Sequence, residues 1–386
     1  MITTAPSAAD AVASLALRDD ALPDLALILD EEQRSRALGA SMKVERVRYK
    51  PGAAAVAALR APDGDLHWLV TYSDPEKLRK SIRRAERVGA HPTRPSPSTL
   101  IGPAYADRLL VGAVERLFAA ESSTFGGTRV LRYNPLRRFV LHDHAQERVL
   151  KLTAHPQTAD VADVLAGHGL PVLVPERLAD DVWASTWWGE SDLGAPGRTN
   201  AEEELLSTIA GAVLAGIHSI PHGTVALRHL DVVGTARGAA QAVSTLLPHL
   251  GCRARALAER IGRIDGPPVL AHGDWSADQV LVHGGDVRII DLDRATIAPP
   301  AYDLGHYCAA GGHSAMLEGY RSAGGVVDDD ALRRATALAL LERAIEPFRT
   351  GHPAWPARVE SNVRYAERAL EGAPAVADRC VRERTA

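Results

Sequence analysis

The chain has 386 residues, enough for two or three domains with an ample buried core. Its net charge is −4 and no basic cluster interleaves with aromatics, which excludes a nucleic-acid partner. Cys252, Cys308 and Cys380 are odd in number and unpaired by spacing, so reduced thiols are expected and a zinc site is not. With no signal peptide and no apolar run of about 18 residues, the expectation is a soluble, cytoplasmic protein with no membrane partner.

In chain order, the first strand signals are Arg46-Val47-Arg48-Tyr49-Lys50-Pro51 with Val56 following, then Leu66 to Tyr72. They are echoed downstream by Val130-Leu131-Arg132-Tyr133-Asn134-Pro135 with Val140, and by Arg148 to Thr153. Residues 1 to about 125 therefore read as an α/β cap built as a degenerate copy of the strand unit that follows, with chance similarity as the alternative. One repeat is too few for a solenoid. His91 to Ser98 is proline-rich and reads as a connector, and Ala104 to Ala120 has helical apolar spacing.

Only five of the 44 Lys and Arg residues are lysines: Lys43, Lys50, Lys77, Lys80 and Lys151. Lys151 stands in the alternating strand segment Arg148 to Thr153, where a compact point charge has been kept in an arginine-rich chain. A phosphate-binding role is favoured over a solvent-facing strand lysine. A helix-like stretch from Thr158 to Ala166 follows, with Asp160 and Asp163 as candidate acidic partners for the lysine. Val182 to Gly189 reads as a strand that leaves this segment. Ala201 to His218 is a candidate amphipathic helix with Glu202, Glu203 and Glu204 in its first turn, favourable to the helix dipole.

The densest signal runs from Leu270 to Leu304. An apolar run delivers His272-Gly273-Asp274 to a loop, and Gln279 follows five residues after Asp274. Val280-Leu281-Val282 then turns at Gly284-Gly285 into Val287-Arg288-Ile289-Ile290, a hairpin whose return strand ends on Asp291. An Asp, an amide and a second Asp in this order suit phosphoryl transfer, which needs positioning and charge neutralisation more than covalent help. Asp274 would act on the attacking hydroxyl, while Gln279 and Asp291 would give Mg²⁺ the hard oxygen ligands it prefers. Asp293 is a weaker candidate, since an extended segment would point it the other way. His272 is expected to brace the loop, and Asp303 to hold the loop or cap the helix beginning near Leu304.

This block resembles the aminoglycoside phosphotransferase and choline-kinase-like family, whose pattern is His-Gly-Asp, four residues, Asn, then Ile-Asp and Pro-x-x-Asp-Leu. Leu214 to His218 likewise resembles a Leu-x-x-Leu-His helix end of that family. The resemblance makes Asp274 the catalytic residue and Asp291 the principal metal ligand, with Gln279 standing where most of the family has Asn. Actinobacterial maltokinases and related amino-sugar kinases also show Gln there, and the maltokinases carry an amino-terminal cap. What the resemblance implies is an α+β, protein-kinase-like fold with a small β-rich lobe (126–190) and a large helical lobe (191–386), preceded by the cap (1–125). The implied activity uses ATP or GTP with Mg²⁺ on a small hydroxylated acceptor, bound through Lys151, Trp188, Gly189, Gln279 and Asp291. The acceptor is an aminoglycoside-like or other hydroxylated antibiotic, or alternatively a metabolic sugar. A catalytically inactive binding protein is a third reading, against which the intact Asp274, Asp291 and Lys151 argue.

Overall fold

The structure, a computed structural model, describes residues 6–118, 127–154 and 160–372. The chain divides into two units, one of Met1–Gln157, Glu176–Trp187 and Ile345–Val359, the other of Thr158–Pro175, Trp188–Ala344 and Glu360–Ala386. The boundary expected at 125 falls outside the described residues, as do Cys380 and the first residues of the helix expected from Thr158. No described helix is long and apolar enough to cross a membrane.

In the first unit, helices α1 (Ala8–Arg18), α2 (Leu25–Leu29) and α3 (Glu31–Leu38) precede strands β1 (Lys43–Lys50), β2 (Ala54–Arg60) and β3 (Leu66–Tyr72). Helix α4 (Pro75–Arg87), strands β4 (Thr93–Ser96) and β5 (Thr99–Pro103), and helix α5 (Val111–Phe118) follow. The second set of strands is β6 (Arg129–Asn134), β7 (Arg138–Asp143), β8 (Arg148–Thr153), β9 (Glu176–Ala179) and β10 (Val182–Thr186). The proline-rich stretch read as a connector is thus strand β4. Pro95 lacks an N–H, and β4 is an edge strand, where a missing donor costs the ladder nothing.

Both sheets share one strand order, β1-β2-β3-β5-β4 and β6-β7-β8-β10-β9. The first hairpin of each has the same length, pairing Lys50 with Ala54 and Asn134 with Arg138. The equivalence then runs strand by strand. Val56, Val70 and Leu100 line up across the first sheet as Val140, Lys151 and Trp183 line up across the second.

The two sheets share one core, but with opposite faces. Val56, Trp68, Val70 and Leu100 of the first pack with Phe139, Leu141, Leu150 and Leu152 of the second. Strand alternation therefore places Lys151 on the other side of its sheet, while the matching face of the first sheet, with Val70 at the lysine position, is buried. The remaining face of the first sheet is covered by α2, with Leu25 and Ile28 fully buried. A late segment also returns to this unit: Arg46 Nη1 lies 3.4 Å from Glu346 Oε2, and Tyr49 meets Phe348 edge to face at 6.5 Å.

In the second unit, α6 (Asp160–Gly167) and β11 (Ser191–Asp192) lead to the long helix α7 (Asn200–Ser219). Thr199 and Glu202 start α7 with a reciprocal capping box, worth about 1 kcal/mol. Helices α8 (Val232–Leu246) and α9 (Gly251–Ile261) precede β12 (Val269–Ala271), β13 (Val280–His283), β14 (Asp286–Ile289) and β15 (Thr296–Ala298). Then come α10 (Ala301–Ala309), α11 (Ala315–Ser322) and α12 (Asp329–Arg343). The core joins α7, α10 and α11 to the β13–β14 hairpin through Leu214, Ile217, Val280, Ile289, Leu304 and Met316. Helices α7 and α11 cross backbone to backbone: a Cβ on Gly211 would lie 2.0 Å from the Met316 carbonyl oxygen.

A chain beginning at Gly127 would leave the Phe139, Leu141, Leu150 and Leu152 face of the second sheet in water, forfeiting about 1.5–3 kcal/mol for each side chain. We expect such a fragment to aggregate in size-exclusion chromatography. A monodisperse product would show that the second sheet stands without the first.

Candidate active site

The loop after β12 is held by one carboxylate. Asp303, in the first turn of α10 and fully buried, accepts the His272 N–H through Oδ2 at 2.7 Å and the Gly273 N–H through Oδ1 at 2.8 Å. His218, at the end of α7, meets Oδ2 through Nε2 at 3.1 Å, and its Nδ1 meets the Tyr320 hydroxyl of α11 at 2.9 Å. Burial alone would raise the Asp303 pKa, yet the His218 hydrogen bond and charge and the Gly273 amide together hold it below the usual carboxylate range. Asp303 is the loop holder that the sequence suggested. Tyr320 had no signal in the sequence, because its role depends on the α7–α11 crossing.

His272 has no exposed surface, and Trp275 packs edge-on against it with ring centroids 5.4 Å apart. Its Nδ1 accepts the Asp274 N–H at 3.3 Å and its Nε2 donates to the Ile290 carbonyl at 2.9 Å. These partners select the neutral tautomer with the proton on Nε2. The ring thus ties the Asp274 loop to the end of the β13–β14 hairpin, a brace and not a base. Gly273 has φ +83°, and a Cβ there would fall 2.0 Å from the Arg294 carbonyl oxygen, so no other residue fits. Asp274 itself is partly exposed, with Arg294 Nη1 3.6 Å from Oδ2. The Arg294 side chain is 60% exposed, so solvent screens the pair to about 0–1 kcal/mol.

The expected hairpin is present, with His283 paired to Asp286 across the Gly284-Gly285 turn. Its open end brings Gln279 and Asp291 together: Val280 pairs with Ile289, and the Ile290 N–H donates to the Gln279 carbonyl at 3.1 Å. The return strand stops at Ile289, before the expected end on Asp291. Asp291 adopts the left-handed conformation (φ 59°, ψ 52°), and Leu292–Arg294 form a 3₁₀ turn. That conformation costs about 1–2 kcal/mol for an L-residue, less for Asp. The alternation argument against Asp293 therefore does not apply, since the segment is not extended. Gln279 and Asp291 offer hard oxygens suited to Mg²⁺, whose remaining ligands in such sites are phosphate oxygens and water. Among the described residues no group of three His, Cys, Asp or Glu suits a metal.

In the first unit, Lys151 lies on β8 between its register partners Val140 and Trp183. Trp187 stacks on His142 of β7 at 3.7 Å and 14°, and the pleat puts His142 on the Lys151 face. His142 was not singled out from the sequence. It lies in a strand pattern where a histidine reads as one more alternating residue. Trp188 belongs to the second unit, where Arg288 stands over its ring at 5.2 Å and His283 lies 5.9 Å away. Gly189 follows, close against the Val282 carbonyl and two residues before β11.

Several solved structures are similar. A choline/ethanolamine kinase family protein from Mesorhizobium loti is 14% identical with a TM-score of 0.49, covering 68% of this chain and 95% of its own. A spectinomycin phosphotransferase, APH(9)-Ia, solved with ADP and spectinomycin, is 15% identical with a TM-score of 0.46, covering 69% and 97%. The macrolide 2'-phosphotransferase MphH from Brachybacterium faecium is 18% identical with a TM-score of 0.36, covering 90% and 98%. At these identities and scores they say nothing of donor or acceptor. No curated protein matches. The pattern of the phosphotransferase enzyme family, APH, matches residues 127–338, more than half of the chain and all of the loop and hairpin just described. With its mixture of helices and antiparallel sheets, the chain belongs to that family.

Proposed function

We propose that the protein transfers the γ-phosphoryl group of ATP or GTP to a hydroxyl of a small molecule, an aminoglycoside-like or other hydroxylated antibiotic. The observation that carries this reading is that Asp303 fixes the loop before Asp274 while His272 ties that loop to Ile290, which pairs with Gln279 and precedes Asp291. In this reading Asp274 accepts the proton of the acceptor hydroxyl as its oxygen attacks the γ-phosphorus. The bond from that phosphorus to the β–γ bridging oxygen breaks, and the nucleoside diphosphate leaves. Gln279 and Asp291 would hold Mg²⁺, which supplies charge neutralisation at the β- and γ-phosphate oxygens. The Lys151 ammonium would serve the α- and β-phosphates, with Trp188 and Gly189 near the purine.

The first sheet is, in this proposal, a cap that binds no nucleotide. Its equivalent of the Lys151 face is filled by core side chains and carries Val70 in place of the lysine. Gln279 at the metal position favours a second reading, a metabolic sugar or amino-sugar kinase. Coupled assays of nucleoside diphosphate release with aminoglycosides, macrolides, maltose and glucosamine separate the two. No transfer to any acceptor, with nucleotide still bound, would point to an inactive binding protein.

Asp274→Asn should keep nucleotide affinity near wild type and lower turnover by about 10²–10⁴, the usual loss of a positioned base. Near-normal turnover would remove Asp274 from the chemistry. Asp291→Ala should abolish the Mg²⁺ dependence of nucleotide binding, read by titrating nucleotide with and without the ion. If that dependence persists, Asp293 is the first residue to test. Lys151→Ala should cut kcat/KM for the nucleotide with an unchanged melting temperature, because a strand lysine opposite the core face contributes little packing. Unaffected kinetics would place the phosphate cation elsewhere.

A further inference from the structure

The internal repeat extends beyond the sheets to a buried carboxylate that grips each first hairpin. In the first copy, Asp19 Oδ2 accepts the Tyr49 hydroxyl at 2.6 Å and the Gly52 N–H at 2.9 Å. In the second, Asp107 Oδ2 accepts the Tyr133 hydroxyl at 2.8 Å and the Leu136 N–H at 2.7 Å, while Oδ1 takes the Leu109 N–H at 2.9 Å. Tyr49 and Tyr133 hold the same register place, paired with Ala55 and Phe139. Both aspartates open the same turn, the Leu22 N–H returning to the Asp19 carbonyl and the Leu110 N–H to the Asp107 carbonyl, each at 3.0 Å. The two hairpin tips share a left-handed residue at the same place, Gly52 (φ 67°) in one and Leu136 (φ 59°) in the other.

That substitution separates the copies. A glycine reaches this conformation freely, whereas a leucine must be held in it. Leu136 is held twice, by the Asp107 carboxylate on its N–H and by its side chain, which joins Val56, Trp68, Val70, Tyr72 and Arg108 around a small cavity between the sheets. Asp107 has no exposed surface, and burial raises its pKa against the pull of its donors. The β6–β7 hairpin carries no glycine, so it lacks the usual means of flexing over a nucleotide.

We infer that Asp107 is a positioning residue that fixes the nucleotide-covering hairpin of the second sheet in its working position, using a latch whose first-copy counterpart, Asp19, serves stability alone. This rests on the proposed function and extends it in one respect, by assigning to the nucleotide the β6–β7 hairpin, whose strands continue the sheet that carries Lys151. An unlatched tip samples other conformations, and apparent affinity falls in proportion to the fraction still in place. The first copy has the same latch and no open ligand face, which makes it an internal control.

The test compares matched full-length variants, Asp107→Asn with Asp19→Asn, and the milder Tyr133→Phe with Tyr49→Phe should either aspartate variant fail to fold. Amide hydrogen exchange is read at Leu136 and Gly52, together with ATP and GTP titrations in Mg²⁺ and the KM-against-kcat split. Asp107→Asn should speed exchange at Leu136 and raise nucleotide KM about tenfold, with a much smaller change in kcat. Asp19→Asn should speed exchange at Gly52 and leave nucleotide KM within about twofold of wild type. Unchanged exchange at Leu136 overturns the latch. Faster exchange with unchanged nucleotide KM overturns the positioning role and leaves a purely structural one. A wild-type protein that binds neither ATP nor GTP instead overturns the proposed function, and Leu136 exchange then judges the latch by itself.

Discussion

A buried carboxylate that spends both oxygens on backbone amides is the constraint from which the second unit's chemistry follows. Asp303 takes the His272 and Gly273 N–H groups, and through them fixes where Asp274 stands. A carboxylate without exposed surface is tolerable only with such donors, because an unpaired buried charge would cost several kcal/mol. The need for donors and the need to hold the loop are met by the same hydrogen bonds. His218 and Tyr320 extend the arrangement to two helices, so the loop inherits the rigidity of the α7–α11 crossing.

His272 carries that order across to the end of the β13–β14 hairpin. Its ring spans from the Asp274 amide to the Ile290 carbonyl, one residue before Asp291. The backbone at Asp274 and the backbone just before Asp291 are thereby tied by one side chain with a single tautomer. A charged imidazolium would lose the acceptor on Nδ1, so neutrality is part of the geometry.

Much of this was legible in the residues. The Leu270 to Leu304 block is compact in sequence, and hairpin pairing, turn and loop all follow from local rules, so the loop position of Asp274, the place of Gln279 and Asp291 at the open end of the hairpin and the holding role of Asp303 were readable. The repeat was visible because Arg-Tyr-x-Pro recurs at the same hairpin. What could not be read depends on tertiary placement. Edge position decides that Pro95 belongs to a strand, and a helix crossing decides that Tyr320 meets His218. The inverted use of the two sheet faces was equally hidden, since alternation gives two faces without saying which one is covered.

The return of residues 345–359 to the first sheet bears on biosynthesis. Arg46 and Glu346 are separated by 300 positions, and Phe348 reaches Tyr49 over a similar span. During synthesis at roughly 5–20 residues per second, the first sheet leaves the ribosome with one face waiting for β6–β10 and its β1 edge region waiting for nearly the whole chain. Closing so long a loop is entropically costly and comes late. The nascent cap is therefore the segment most in need of a chaperone. Truncation anywhere before residue 345 yields a product whose defect shows at the opposite end of the chain from the lesion.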